Sequence, residues 1–313
     1  MTTHIADPGA ARALGTVLGI WAHPDDEAYL SAGLMALARA AGNDVTCVTA
    51  TLGERGTDDP VTWPPDRLAR TRRLEIEASL GILGVDDHRL LGYEDGTLSQ
   101  QPAATGIATI AGIIEDVHPD TIVTFGPDGI TGHPDHRTIS AWTTAAWERT
   151  GTGRLLYATT TAAFADEHAE LHDRIPVFGP GLPLRTRDAD VAVAVELDDE
   201  LLDRKLAALR AQATQVQPLI ALMGEEVYRR WWRTESFRAA PAHRPQPSPG
   251  GLGSFGGLVP RPALLRAVAP RRDTALIGAA PRREDPTATR DGGTSRGRSL
   301  RAARSDDEVR RSP

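Results

Sequence analysis

Apolar residues recur along this chain in two alternating rhythms. Short β-branched or apolar runs at 16–22, 45–51 and 121–125 predict buried strands, and longer stretches with apolar residues at helical spacing predict helices over 26–41, 66–83, 107–117 and 134–149. Gly42-Asn43-Asp44 marks the turn between the first helix and the second strand, Gly84 stops the helix over 66–83, and Pro134 suits the first turn of the helix that it begins. Further on, 88–92, 155–161 and 191–195 read as shorter strands, and 199–212 as a helix ahead of a break at Pro218. This alternation implies an α/β fold, a mostly parallel sheet with helices on both faces. Ligands of such sheets bind beyond the carboxyl ends of the strands. The loops 22–27, 52–57 and 126–136 each follow a predicted strand, so chemistry is sought there.

The apolar periodicity fades near Phe237, which predicts one domain over 16–238, an N-terminal extension over 1–15 and a tail over 239–313. The whole chain carries 35 basic and 42 acidic residues, and this small excess conceals a split. From Ala239 on there are 14 arginines against 7 carboxylates, so the body is strongly acidic and the tail basic. An acidic body excludes the basic face of a nucleic-acid-binding domain. The tail is rich in Pro, Gly, Arg and Ser, has no aromatic residue after Phe255 and is expected to be disordered. One cysteine, Cys47, lies in an apolar alternation and reads as a buried thiol. Met1 to Arg12 lacks a basic and then apolar leader, and the chain has no run of about 18 apolar residues. A soluble, cytoplasmic protein without membrane contact is expected; composition leaves the oligomeric state open.

Two short clusters carry the chemistry. His23-Pro24-Asp25-Asp26-Glu27 follows the first predicted strand, and His133-Pro134-Asp135-His136 follows the strand at 121–125. His23 and Asp26 are three residues apart at a strand-to-helix turn, so their side chains can converge at the helix entrance. His136 lies in the first turn of the later helix. Together they make a two-histidine, one-carboxylate set that leaves a coordination position open, which points to one zinc ion per chain, iron(II) being acceptable to the same donors. Asp25 is then the uncommitted carboxylate beside the metal, suited to take a proton from water. Taken singly, either cluster is as well explained as a capped helix start; their occurrence together on two post-strand loops favours the metal. Glu27 reads as a supporting or first-turn charge. The other histidines, His4, His88, His118, His168, His172 and His243, read as surface or core residues.

AHPDDE after the first strand, TLGERG after the second, Arg72 and Glu75 on a helix ending in Leu83-Gly84-Val85, Tyr93-Glu94-Asp95-Gly96, and GHPDH after the strand at 121–125 together resemble the PIG-L/LmbE-like N-deacetylase family over about 16–238. The fold this resemblance implies is a Rossmann-like three-layer sandwich with the active site at the strand carboxyl ends. Its implied roles are metal ligand for His23, Asp26 and His136, and general base for Asp25. It also implies a cationic His133 that stabilises the oxyanion or protonates the leaving amine, its ring held by Asp135. The expected reaction is zinc-dependent removal of an N-acetyl group from a small-molecule amino-sugar conjugate resembling N-acetylglucosamine. An amidase cutting a larger N-acyl group, as from a thiol conjugate, is the second enzyme reading. A non-catalytic sugar-binding protein of the same fold is the third, and the intact Asp25 argues against it.

Substrate contacts are less sharply marked. TLGERGT lacks the lysine of a phosphate-binding loop, and no GxGxxG follows the first strand, so nucleotide binding is not expected. Glu54 and Arg55 fall on a loop near the metal. Arg72 can reach a sugar hydroxyl or phosphate, or pair with Glu75 or Glu77 on the helix surface. Asp95 matches a family position near the substrate or is a turn aspartate. Relatives place histidine where Gln212 stands and, in some, tyrosine where Thr131 stands, so inherited substrate contacts do not transfer there. Trp231 and Trp232 read as core, or as a face for a sugar.

Overall fold

A computed structural model describes residues 2–241; the basic tail from 242 on, His243 included, lies outside the described residues. Eight strands form one sheet, β1 (Thr3–Ile5), β2 (Val17–Trp21), β3 (Val45–Thr49), β4 (Asp87–Leu90), β5 (Thr121–Phe125), β6 (Arg154–Thr159), β7 (Val193–Glu196) and β8 (Thr234–Ala239). Their order across the sheet is β1-β7-β8-β6-β5-β2-β3-β4. All neighbours are parallel except β8, which runs antiparallel between β6 and β7. Every residue of β2, β3 and β5 is buried, the outcome expected of continuous apolar runs covered on both faces. Cys47 is a buried free thiol in β3.

Ten α-helices flank the sheet: α1 (Pro8–Ala11), α2 (Asp26–Ala40), α3 (Pro65–Leu83), α4 (Ala103–Val117), α5 (Pro134–Thr150), α6 (Ala162–Glu167), α7 (Ala169–Arg174), α8 (Asp199–Ala211), α9 (Ala213–Met223) and α10 (Glu225–Trp231). Helices α2, α3 and α8 pack on one another, and α4 packs on α5. Gly84 ends α3 in the left-handed conformation, as its position after the apolar run predicts. Helix α4 begins at Ala103, four residues before the apolar run that reveals it, because Pro102 supplies its entrance. Among the described residues, no helix is long and apolar enough to cross a membrane.

Three features depart from the sequence expectation. Residues 1–15, expected ahead of the domain, contribute the edge strand β1, paired in parallel with β7, and bury Ile5, Ala11 and Leu14. Three strand residues are too few to show a period. Pro218 does not break the chain but lies inside α9, where the fully buried Val216 packs the helix to the body and tertiary contact overrides propensity. Strand β8 escapes the sequence reading because its inward face is Glu235 and Phe237, a charge beside an aromatic.

The buried Glu235 has a partner for each oxygen. Its carboxylate accepts from Gly33 N at 2.8 Å, Leu34 N at 2.9 Å and Lys205 Nζ at 2.9 Å, and Lys205 also donates to Tyr29 O at 2.8 Å. Both charged side chains are fully buried, so these bonds offset a desolvation cost of several kcal/mol per ion. The pair ties β8 and α8 to the middle of α2, the helix whose entrance carries His23 to Glu27. On the other side of β2, a Cβ at Gly19 would come within 2.8 Å of Trp21 Nε1, so glycine there leaves room for the Trp21 ring. That ring meets Phe125 edge-on at 5.0 Å, and Phe125 stacks on the imidazole of His136 at 4.1 Å.

Candidate active site

Strand β2 delivers His23 into a tight turn before α2. Asp25, at the helix entrance, has φ 99, a strained conformation for a residue with a side chain. The turn is closed by His23 N–H donating to Asp26 Oδ2 at 2.8 Å. Strand β5 leads into a loop in which Ile130 has φ 61, and Pro134 then starts α5 with His136 as its third residue. A β-branched residue in the left-handed region is a second point of strain beside the same site.

These two turns bring two imidazole nitrogens and one carboxylate together. His23 Nδ1 and His136 Nε2 are 3.1 Å apart, His136 Nε2 lies 3.3 Å from Asp26 Oδ1, and His23 Nδ1 lies 3.5 Å from Asp26 Oδ2. Metal–ligand bonds of about 2.0–2.1 Å in tetrahedral array separate neighbouring ligands by roughly 3.3 Å, so the triangle fits zinc. The outer nitrogens support the same assignment. His136 Nδ1 donates to Gly129 O at 3.0 Å, which directs the Nε2 lone pair inward. His23 Nε2 sits between Asp95 Oδ1 at 3.2 Å and Asp135 Oδ2 at 3.5 Å, meeting neither at a hydrogen-bonding angle. Burial lowers the His23 pKa, but Asp135, Asp26 and Asp95 outweigh it and raise the group well above its usual value. Burial pushes His136 down to about 4, and Asp26 stays below the usual carboxylate range because His136 and His23 overcome its burial. Two imidazoles against an ionised carboxylate are a ligand set for a divalent cation, whose binding would displace the proton that His23 otherwise holds.

Asp25 stands apart from the triangle. Burial pushes its carboxyl up to about 7 against the opposing pull of Arg72. Arg72 is almost fully buried and donates to Pro24 O, to Gly53 O at 2.8 Å and to Asp25 Oδ2 at 3.3 Å. It therefore clamps the turn at 23–27 to the loop after β3; it pairs with neither Glu75 nor Glu77. A Cβ at Gly53, whose φ is 60, would lie 2.1 Å from the guanidinium, so glycine is required for this approach. Glu27 is fully buried, accepts from Asp25 N at 3.0 Å through Oε2, and accepts from Gln212 Nε2 at 2.6 Å through Oε1. Burial, reinforced by Asp25, pushes its carboxyl up to about 8. Sequence reading left Glu27 as a supporting charge and Gln212 as a departure from the relatives; their contact across 185 residues was not legible.

His133 lies beside the triangle, its ligating atom within 4.8 Å of those of His23 and His136. Its Nδ1 accepts from the backbone N–H of Asp135 at 3.2 Å, so a neutral ring carries its proton on Nε2. Burial and then the positive His23 hold its pKa below the ordinary value. Asp135 does not turn its carboxylate to the His133 ring. Its carboxylate accepts from Gly96 N at 2.8 Å and Leu98 N at 3.2 Å and faces His23; it meets His133 only through its backbone. The carboxylate points into the fold because two backbone donors of the 95–98 turn are there to be satisfied.

The four expected substrate residues separate. Asp95 is buried and lines the cavity, held below the usual range at about 2 because His23 overcomes its burial; Arg72 also lines it. Glu54 and Arg55 do not line it. Glu54 Oε1 accepts from Asp95 N at 2.9 Å, and Arg55 donates its backbone N–H to Asp95 Oδ2 at 2.9 Å while its side chain pairs with Glu94. They brace Asp95 from behind. The cavity itself measures about 260 Å³, with His23, Asp25, Asp26, His133 and His136 on its floor and Phe178, Leu219, Trp231 and Trp232 on its wall. Both tryptophans are buried in the core and also face the cavity, so the two sequence readings of them hold together.

Residues 18–147 match the family model described as PIG-L: GlcNAc-PI de-N-acetylase. Over 221 residues the chain is 34% identical to a 1D-myo-inositol 2-acetamido-2-deoxy-alpha-D-glucopyranoside deacetylase of Corynebacterium diphtheriae, covering 64% of this chain and 75% of that one. The enzyme of the same name from Actinosynnema mirum is 35% identical over 230 residues, with 64% and 80% covered. Among solved structures, N,N'-diacetylchitobiose deacetylase from Pyrococcus horikoshii superposes with a TM-score of 0.50 at 23% identity, over 72% of this chain and 84% of that chain. The zinc-inhibited form of a teicoplanin deacetylase gives 0.52 at 17% identity over 73% and 100%. At these identities the solved structures establish likeness of fold.

Proposed function

Since the chain belongs to the PIG-L/LmbE-like family of N-deacetylases, we propose that it hydrolyses the N-acetyl group of an amino-sugar conjugate resembling N-acetylglucosamine, with zinc held by His23, Asp26 and His136. The observation that carries this reading is the convergence of His23 Nδ1, His136 Nε2 and the Asp26 carboxylate at mutual distances of 3.1–3.5 Å, with a carboxyl of pKa about 7 at the adjoining Asp25. The loops that follow β2 and β5 supply these groups, which supports a Rossmann-like layering with the active site at the strand carboxyl ends.

When bound, zinc would supply Lewis acidity, polarising the acyl carbonyl and making hydroxide available near neutral pH. Asp25 accepts the proton of the attacking water. Arg72 holds its Oδ2, leaving Oδ1 for that proton, and a pKa near the working pH lets the same carboxyl return it to the departing nitrogen. His133 donates its Nε2 proton toward the oxygen on which negative charge develops. Asp95 and Asp135, facing His23 Nε2, keep its Nδ1 turned to the metal position.

The test is acetate release from the N-acetylglucosaminyl conjugate of inositol by zinc-loaded protein. Asp25→Asn is expected to keep its metal while kcat falls by about 10²–10⁴, and His133→Ala to lose kcat by about 10²–10³ with metal content unchanged. Unimpaired turnover in Asp25→Asn would remove the general-base role. Loss of zinc in His133→Ala would show that the roles of the two histidines had been exchanged.

A further inference from the structure

The wall of the cavity differs in kind from its floor. Val177, Phe178 and Leu219 are half-buried, so apolar surface faces the space above the charged floor, backed by the buried Trp231 and Trp232. Several polar atoms on that side are already engaged, while Trp232 Nε1 is buried without a partner. Trp231 Nε1 donates to His172 Nε2 at 3.1 Å, the Tyr29 hydroxyl accepts from that of Tyr228 at 3.0 Å, and Gln215 Nε2 donates to Thr214 Oγ1 at 3.3 Å. A hydroxyl-rich group pressed against this wall would give up more hydrogen bonds to water than it could regain, at a loss on the order of tenfold in affinity per unmet hydroxyl. The wall also adjoins the reacting groups: Gly179 N donates to Thr131 O at 2.9 Å, joining the segment of Val177 and Phe178 to the loop that carries His133 and His136. None of Val177, Phe178, Leu219, Trp231 and Trp232 lies within residues 18–147, the part that matches the family model. The floor residues 23–27, 95 and 133–136 lie within that part, and the wall is supplied by residues outside it.

We infer that the site takes amino-sugar substrates bearing an apolar or aryl group, which seats on the wall formed by Val177, Phe178, Leu219 and Trp231. This rests on the deacylase reading above. The apolar group is either an N-acyl chain longer than acetyl or an aglycone attached to the sugar. Hydrolysis is the same in both cases: water adds to the amide carbonyl, the C–N bond breaks, and carboxylate and amine leave.

The experiment measures kcat/KM of the zinc-loaded full chain on two series. One varies the acyl group of methyl glucosaminide from acetyl through butanoyl to octanoyl and benzoyl; the other keeps N-acetyl and varies the aglycone from methyl through butyl to octyl and phenyl. Each added methylene that seats on the wall is expected to raise kcat/KM by roughly 3–4-fold. A rise in the first series alone identifies the acyl chain as the group, and a rise in the second alone identifies the aglycone; either supports the inference. Phe178→Ala and, on the outer surface of α9, Leu219→Asn should each flatten the responding series through KM more than through kcat. Equal kcat/KM along both series, with acetate still released, overturns the inference and leaves the deacetylase reading standing. No hydrolysis of any member by zinc-loaded protein overturns both.

Discussion

The charged floor of the cavity comes from residues 23–27, 95 and 133–136, and its apolar wall from residues 177–178, 219 and 231–232. On the floor, polar side chains are fixed by backbone groups of their own loop or of another. Asp135 takes Gly96 N and Leu98 N, His136 gives to Gly129 O, and Glu27 takes Asp25 N. Hydrogen bonds of this kind have direction, so each residue type is required at its place. The wall is held by apolar packing, which is non-directional and tolerates exchange among residues of similar volume. The floor is therefore held by directional bonds and the wall by packing, so the wall tolerates substitution that the floor does not.

The sharpest way to break the floor is His136→Ala. Removing one donor of three should take turnover to background and bound metal with it, while the wall keeps its packing; stoichiometric zinc at unchanged affinity in this variant would show that the triangle is not the ligand set. A second intervention asks whether floor and wall are one cooperative unit. Lys205 and Glu235 tie α8 and β8 to α2, and Lys205 Nζ lies 5.8 Å from the Trp232 ring on the wall side. Lys205→Met leaves the Glu235 charge buried without its cation, so urea unfolding should report a loss of about 3–5 kcal/mol. A loss within experimental error would mean that the two regions are joined by packing alone. The smallest effect is expected from Asp95→Asn. It withdraws charge from beside His23 Nε2 without emptying the triangle, so zinc affinity measured by chelator competition should fall by about 10–100-fold. Unchanged affinity would assign the support of His23 to Asp135 alone.

Much of the floor was legible along the chain because its parts are local. His23, Asp25 and Asp26 fall on one strand-to-helix turn, and Pro134 sets His136 in the first turn of a helix. The strands β2, β3 and β5 announced themselves as continuous apolar runs, for which burial on both faces is the only stable outcome. What was misread depends on partners distant in sequence. Arg72 could not be assigned because its acceptors, Pro24 O and Gly53 O, belong to two other loops. The Asp135 carboxylate follows the 95–98 turn and not its neighbour His133. Strand β1 has three residues, and only pairing with β7 makes it a strand.

By itself, then, the sequence determined the alternation of strands and helices, the identity of the candidate ligands and base, and the family to which they belong. Those properties are encoded by period and by residue type over spans of a few positions. Only the tertiary structure decided that Glu27 meets Gln212, that β8 enters antiparallel with a buried carboxylate facing α2, and that five apolar residues from separate segments share one face of a cavity. Contacts of that kind form between segments whose own patterns say only that they will be buried, and the packing of the whole chain selects against what.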